Sequence, residues 1–228
     1  MRASDRAYVT LLDEIQSGVL APGAVIGEVE QSVRLGVSRT PMREAIGRLV
    51  TDGLIRQQSA RVLVVTGFDV DDIESLFEAR RSLEEAAARL AAVRGYSETF
   101  SSLADAFDTA HPERGVLAAD AYYTLIERFD AAIDAAVNNV YLVQALRNTR
   151  THLARARRLA RDNQDRLVAS TAEHALIARA IAEGNADLAA HATHVHLHHA
   201  LRSILASITA DTPGTATSPT NLTPKGQS

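Results

Sequence analysis

One segment constrains this chain more than any other: Gly36-Val37-Ser38-Arg39-Thr40-Pro41-Met42-Arg43-Glu44-Ala45-Ile46. The glycine permits a tight turn between two helices. Ser38 is placed to cap the helix that follows, and Pro41 is tolerated in its first turn, where the N–H groups have no intrahelical acceptor. Met42, Ala45, Ile46 and Leu49 then fall on one helical face, and Asp52-Gly53 closes the element. Arg39, Thr40 and Arg43 remain on the outer side of its N-terminal end. A helix over 5–17, a turn at Ala21-Pro22-Gly23 and a short helix over 28–35 come before it. Leu54-Ile55 and Arg61 to Val65, the only convincing strand segments, follow as a short hairpin. Helix, turn, helix, glycine turn, arginine-bearing helix and hairpin, in that order, predict a winged helix-turn-helix over residues 1–67. The competing reading of the arginine helix alone is a charged helical hairpin in an unrelated helical protein.

Charge distribution favours the first reading. The whole chain carries a formal net charge of -4, which by itself argues against nucleic acid. Yet residues 34–61 hold six arginines, Arg34, Arg39, Arg43, Arg48, Arg56 and Arg61, against Glu44 and Asp52. A local basic excess suits a surface that faces phosphates. Thr40 and the helix N-terminal amides are natural phosphate donors, and either arginine at the exposed end can meet a guanine edge or a phosphate.

Beyond Gly67 the pattern is helical throughout. Aromatic residues are only 4% against 46% hydrophobic, which favours close-packed helices over sheets. Val70, Ile73, Leu76, Phe77, Leu83, Ala87 and Leu90 line one face of a helix ending near Gly95. Further helices are expected over 97–110, 117–137, 140–161, 164–183 and 186–208. The fold class is therefore mainly α: the winged unit plus an all-helical bundle of about six helices over 68–208. The tail over 209–228, rich in Thr, Pro, Ser and Gly, reads as disordered. Cysteine is absent, which excludes disulfides, thiolate metal sites and Cys nucleophiles. No run is apolar enough to span a bilayer and the first residues lack a secretory pattern, so a soluble cytoplasmic protein is expected.

His174 and His196 are the most informative pair in the second region. They flank the turn at Gly184-Asn185 at nearly equal separations, each about 15 Å along its helix. In an antiparallel hairpin the two would be level and able to meet one ion. A hydrogen-bonded core histidine is the bland alternative for each. His191, His194 and His198 share a different face, since side chains advance about 100° per residue. That stripe reads as a solvated or interfacial face, with a surface metal or a charge change near pH 6 as the alternatives.

These residues resemble a known family. Gly36 to Ile46, Arg48-Leu49 and Asp52-Gly53-Leu54-Ile55 are similar to the N-terminal signature of GntR-type bacterial transcriptional regulators. Glu78-Ala79-Arg80-Arg81-Ser82-Leu83-Glu84 and Ala87-Ala88-Arg89-Leu90-Ala91 resemble the opening helix of the FadR-type (FCD) ligand-binding domain. The likeness covers roughly residues 7–205. It implies a homodimeric repressor that binds a near-palindromic operator through Ser38, Arg39, Thr40, Arg43 and Arg48 and responds to a small-molecule effector. Two departures stand out. Gln31-Ser32 replace a Leu-Ala pair usual in the second helix, and the hairpin tip at Gln57-Gln58-Ser59-Ala60 lacks the family's glycine.

In the metal-binding members of that group, an Asp and a His four apart join two later histidines. The later pair matches His174 and His196; the earlier positions hold Ile126 and Asp130. Asp130 with two imidazoles would suit Zn²⁺ or a similar divalent ion, while a metal-free polar pocket is the other reading. Arg80 matches an arginine that faces the effector cavity, where it would grip a carboxylate metabolite; a salt bridge to Glu84 at i, i+4 is the alternative. The rival function is a metal-dependent hydrolase or oxygenase built on Asp130, His174 and His196. No phosphate loop, nucleophile motif or His-Glu-x-x-His sequence supports it. No catalytic residues are therefore assigned.

Overall fold

A computed structural model describes residues 1–67, 69–110, 119–159 and 163–211. Three helices open the chain: α1 (Ala3–Ser17), α2 (Glu28–Leu35) and α3 (Arg39–Thr51). Ala7, Leu11 and Ile15 of α1 interlock with Met42, Ala45, Ile46 and Leu49 of α3, closed by Leu54, Ile55 and Val65. Gly36 turns α2 into α3 at φ 63°, a left-handed conformation that glycine adopts without a Cβ clash.

The hairpin comprises β1 (Ile55–Ser59) and β2 (Val62–Val65), antiparallel, with Ile55 opposite Val65 and an irregularity between Gln57 and Ser59. The Pro-Gly segment, expected as a turn, also adds a third strand-like edge. Val25 bridges Val64, Ile26 N–H donates to the Leu63 carbonyl at 2.8 Å, and Val65 N–H donates to the Ala24 carbonyl at 2.9 Å. The short wing is thereby anchored at its base.

The Gln31-Ser32 departure in α2 has visible consequences. Gln31 and Ser32 are buried despite their polarity. Gln31 accepts a hydrogen bond from Arg34 Nε at 2.8 Å, and Arg34 also grips Glu14 with both terminal nitrogens at 2.6 Å. The Ser32 hydroxyl is buried without a hydrogen-bond partner. A small hydroxyl where a methyl would suffice costs roughly 1 kcal/mol or more.

The remaining helices are α4 (Val70–Arg94), α5 (Ser97–Thr109), α6 (Ala119–Val137), α7 (Val140–Leu159), α8 (Gln164–Ala182) and α9 (Ala186–Asp211). Asp69 opens α4 with a reciprocal capping box: its side chain accepts from Asp72 N–H at 2.8 Å while Asp72 accepts from Asp69 N–H. The inward face of α4 differs from the purely apolar one expected. Ile73 and Phe77 are buried, but Arg80 continues that line at 2% exposure, and Val70 lies outside at 39%. Helix α9 runs to Asp211, so 209–211 are helical rather than part of the expected tail; 212–228 lie outside the described residues, as do the expected breaks at His111-Pro112 and Arg161.

Helix α7 joins the two halves. On one side Leu153 and Ala156 pack with Ile73, Phe77, Leu197 and Ile204 of α4 and α9. On the other, Thr151 accepts a hydrogen bond from Gln16 Nε2 at 3.1 Å, and Arg155 donates to the Thr66 carbonyl at the end of the wing. His152 lies against Gly53, where an added Cβ would come within 3.5 Å of its ring.

Candidate DNA interface and effector cavity

At the start of α3, Ser38, Arg39, Thr40 and Arg43 are all exposed. Ser38 occupies the N-cap position, but its side chain makes no capping hydrogen bond, contrary to the expected role. The helix N-terminal amides therefore point outward beside an exposed hydroxyl, an arrangement suited to a phosphate oxygen. Arg43 is held at the surface by Glu28 of α2, Nη2 to Oε2 3.2 Å. Arg48 is employed differently from the others. It pairs with Asp5 at 2.9 Å and stacks over the Tyr8 ring at 3.9 Å, so its guanidinium braces α1 against α3. Tyr8 in turn donates to Asp52 at 2.6 Å; burial and that carboxylate push the phenol up to about 12.

In the helical region the antiparallel α8–α9 hairpin brings the His174 and His196 rings to a centroid separation of 4.3 Å. His174 stacks on Phe107 and donates Nδ1–H to the Ser170 carbonyl at 2.7 Å. His196 Nδ1 meets Glu173 at 2.7 Å. Burial pushes His196 below the usual histidine range, opposed by the Glu173 hydrogen bond and reinforced by the charges of Arg166 and Arg80. Glu173 binds Arg166 through both oxygens, at 2.9 and 2.6 Å, and His199 as well. Burial would raise its pKa, but the bonds from His196 and Arg166 hold it well below the usual carboxylate range.

Arg80 makes the i, i+4 salt bridge given as the alternative to an effector contact. Its Nε donates to Glu84 Oε1 at 2.7 Å, and its guanidinium lines the interior beside His196 while stacking over Phe77 at 4.5 Å. Burial raises Glu84, but the charge and hydrogen bond of Arg80 outweigh it and keep the carboxyl ionised.

A divalent ion would use Asp130, His174 and His196. Both imidazoles have Nδ1 engaged, which turns Nε2 toward other partners, as metal ligands require. The rest of the set does not fit. Asp130 faces Arg150, 3.4 Å away, and Ile126 is buried and apolar where the resemblance expects the first carboxylate. Among the described residues no three His, Asp or Glu side chains converge on a point that could hold an ion. The exposed His191 and His194 are engaged with the Asp187 carbonyl and Glu85 instead.

An exposed, N-terminally open recognition helix with an anchored wing, carried by a helical bundle with an internal polar cavity, defines a DNA-binding transcriptional regulator. The chain belongs to the GntR family of bacterial regulatory proteins, matched over residues 3–65, with an FCD domain matched over 75–199. It is 32% identical over 136 residues to the Nta operon transcriptional regulator of Aminobacter aminovorans, covering 60% of this chain and 64% of that one, slightly less than two thirds. An uncharacterised HTH-type regulator of Streptomyces ambofaciens is 30% identical over 196 residues, 83% of this chain and 80% of its own. The fold is also that of E. coli McbR/YncC, TM-score 0.72 at 19% identity, covering 92% of this chain and 99% of that one. These relatives are regulators, and the hydrolase or oxygenase alternative finds no support among them. No helix among the described residues is long and apolar enough to cross a membrane.

Proposed function

We propose that the protein is a cytoplasmic, metabolite-responsive repressor that binds a near-palindromic operator as a homodimer. The division of labour places DNA reading in 1–67 and effector binding with dimerisation in 68–208. The observation that carries the reading is the exposure of Arg39, Thr40 and Arg43 around an uncapped helix N-terminus. Arg39 and Arg43 address base edges or phosphates, and Ser38 and Thr40 hold phosphate oxygens. Arg48 orients α1 from behind the reading helix.

Ligand binding in the helical cavity would shift the population of dimer arrangements and so the spacing of the two reading helices. Helix α7 is the physical link: Leu153 touches the cavity, while Thr151, His152 and Arg155 hold the winged unit. The effector is a small carboxylate met by Arg80.

The test is a gel shift with duplex DNA from the promoter region of the protein's own gene. Specific binding should weaken steeply with salt as phosphate contacts release counterions. Arg39→Ala and Arg43→Ala should each lower specific affinity about 10- to 100-fold with an unchanged melting curve. Full affinity in both variants would remove α3 as the reading helix.

A further inference from the structure

Helix α2 is held to the winged unit by polar groups. The buried apolar core there draws on α1, α3, Ile26, Leu54, Ile55 and Val65, and on no side chain of α2. Leu35 reaches that core only from a half-buried position, and the two buried side chains of α2 are Gln31 and Ser32. Its other apolar residues, Val29 and Val33, are exposed. A helix ordinarily fixes its roll by burying an apolar stripe; α2 has almost none to bury.

A clamp of three side chains takes the place of that stripe. Arg34 Nε donates to Gln31 Oε1 at 2.8 Å, while its Nη1 and Nη2 donate to Oε1 and Oε2 of Glu14 on α1, both at 2.6 Å. A paired guanidinium and carboxylate fix direction as well as distance, because the two N–H bonds and the two oxygens must share a plane. The Glu14 side chain is only 15% exposed, so water competes with this pair less than with a fully solvated one. Helix α2 in turn carries the start of the reading helix. Val37 N–H donates to the Ser32 carbonyl at 3.1 Å and Gly36 N–H to the Val33 carbonyl at 3.3 Å, so the turn into α3 is built on the last turn of α2. Glu28, the first residue of α2, pairs with Arg43 at 3.2 Å. In a helix-turn-helix the first helix crosses the phosphate backbone while the second enters the groove. The angle between the two therefore sets how the second meets base edges.

Building on the reading-helix assignment above, we propose that Glu14, Arg34 and Gln31 are positioning residues for DNA recognition: their clamp, in place of an apolar contact, sets α2 and through it the N-terminal end of α3. Arg34 belongs to the arginine-rich segment 34–61, yet its fork serves α1 and not a phosphate. Glu14, an acid, supports the binding of a polyanion that its charge alone would repel.

The test compares variants of the full chain on the promoter duplex named above and on a scrambled duplex of equal length, at a temperature where circular dichroism shows each variant folded. Glu14→Gln removes a negative charge, so charge alone would tighten binding to both duplexes. Loss of the clamp should instead weaken promoter binding about 3- to 10-fold and leave the scrambled duplex unweakened. Arg34→Lys keeps the charge without the fork and should weaken promoter binding to a similar degree. Gln31→Leu combined with Ser32→Ala gives α2 an apolar contact, and in that background Glu14→Gln should cost less than about 2-fold. Amide hydrogen exchange reads the clamp without DNA: in Glu14→Gln the α2 amides should exchange several-fold faster while α1 and α3 keep their protection. Unchanged or tighter promoter binding in Glu14→Gln, full affinity in Arg34→Lys, an equal loss in the apolar background, or unaltered exchange in α2 would overturn the proposal. If the unmodified protein does not distinguish the promoter duplex from the scrambled one, the regulator reading falls, and the exchange measurement alone then decides the clamp.

Discussion

Arginine serves opposite purposes in the two halves of this molecule. On the winged unit Arg39 and Arg43 stand at the surface, Arg43 with 71% of its side chain exposed. In the helical bundle Arg80 and Arg166 are sunk into the interior, each clasped by a carboxylate. An exposed guanidinium keeps its hydration and can exchange water for phosphate at little structural cost. A buried one must be neutralised to be tolerated, and that requirement fixes its position. The first arrangement suits a polyanion approached from outside; the second suits one small anion in one orientation.

Stability measurements offer the sharpest way to break this contrast. Arg80→Ala would leave Glu84 buried beside uncompensated space and should cost about 3 kcal/mol in urea unfolding, whereas Arg43→Ala should change stability by less than about 0.5 kcal/mol. Comparable losses from both would erase the distinction. Ser32→Ala removes a buried hydroxyl with no partner, so unfolding free energy should rise by about 1 kcal/mol. A smaller effect is expected at Glu28, which holds Arg43 in the free protein. Glu28→Gln should tighten operator binding by only a few-fold, about 0.5–1 kcal/mol, because exposed ion pairs are weak; weaker binding would show that Glu28 presents Arg43 rather than restrains it.

The smallest effect concerns pH. Burial lowers the His152 pKa, opposed by a hydrogen bond with the Asp52 backbone and aided by the charge of Arg155. The unfolded chain therefore takes up the proton first. Stability from the neutral imidazole is complete above the unfolded value of about 6.5 and is lost as pH falls toward the depressed folded pKa. Between about pH 7.5 and 5.5 the Tm of the unmodified protein should fall more than that of His152→Gln; parallel curves would exclude His152 as the source.

Local rules made much of the winged unit legible. The Gly36 turn, the apolar spacing of Met42, Ala45, Ile46 and Leu49, and the outward placement of Arg39, Thr40 and Arg43 all follow from helical period and turn chemistry. The level placement of His174 and His196 followed from counting residues on either side of Gly184. The strand-like pairing of Val25 with Val64 is not legible along the chain because its hydrogen bonds join segments far apart in sequence. Motif position groups Arg48 with the DNA contacts but cannot show which neighbour claims its side chain; Asp5 and Tyr8 do. Asp130 looked like a ligand by position, yet Arg150, distant in the chain, faces it instead.

By itself, the sequence determined the order of helices, the arginine-bearing reading helix and the histidine pair, because each depends on periodicity or on spacing along one or two elements. Only the tertiary structure decided which arginines are buried and that Glu173 is shared by Arg166, His196 and His199. Those outcomes depend on side chains from separate helices meeting at once, and no pattern along a single element encodes that distance.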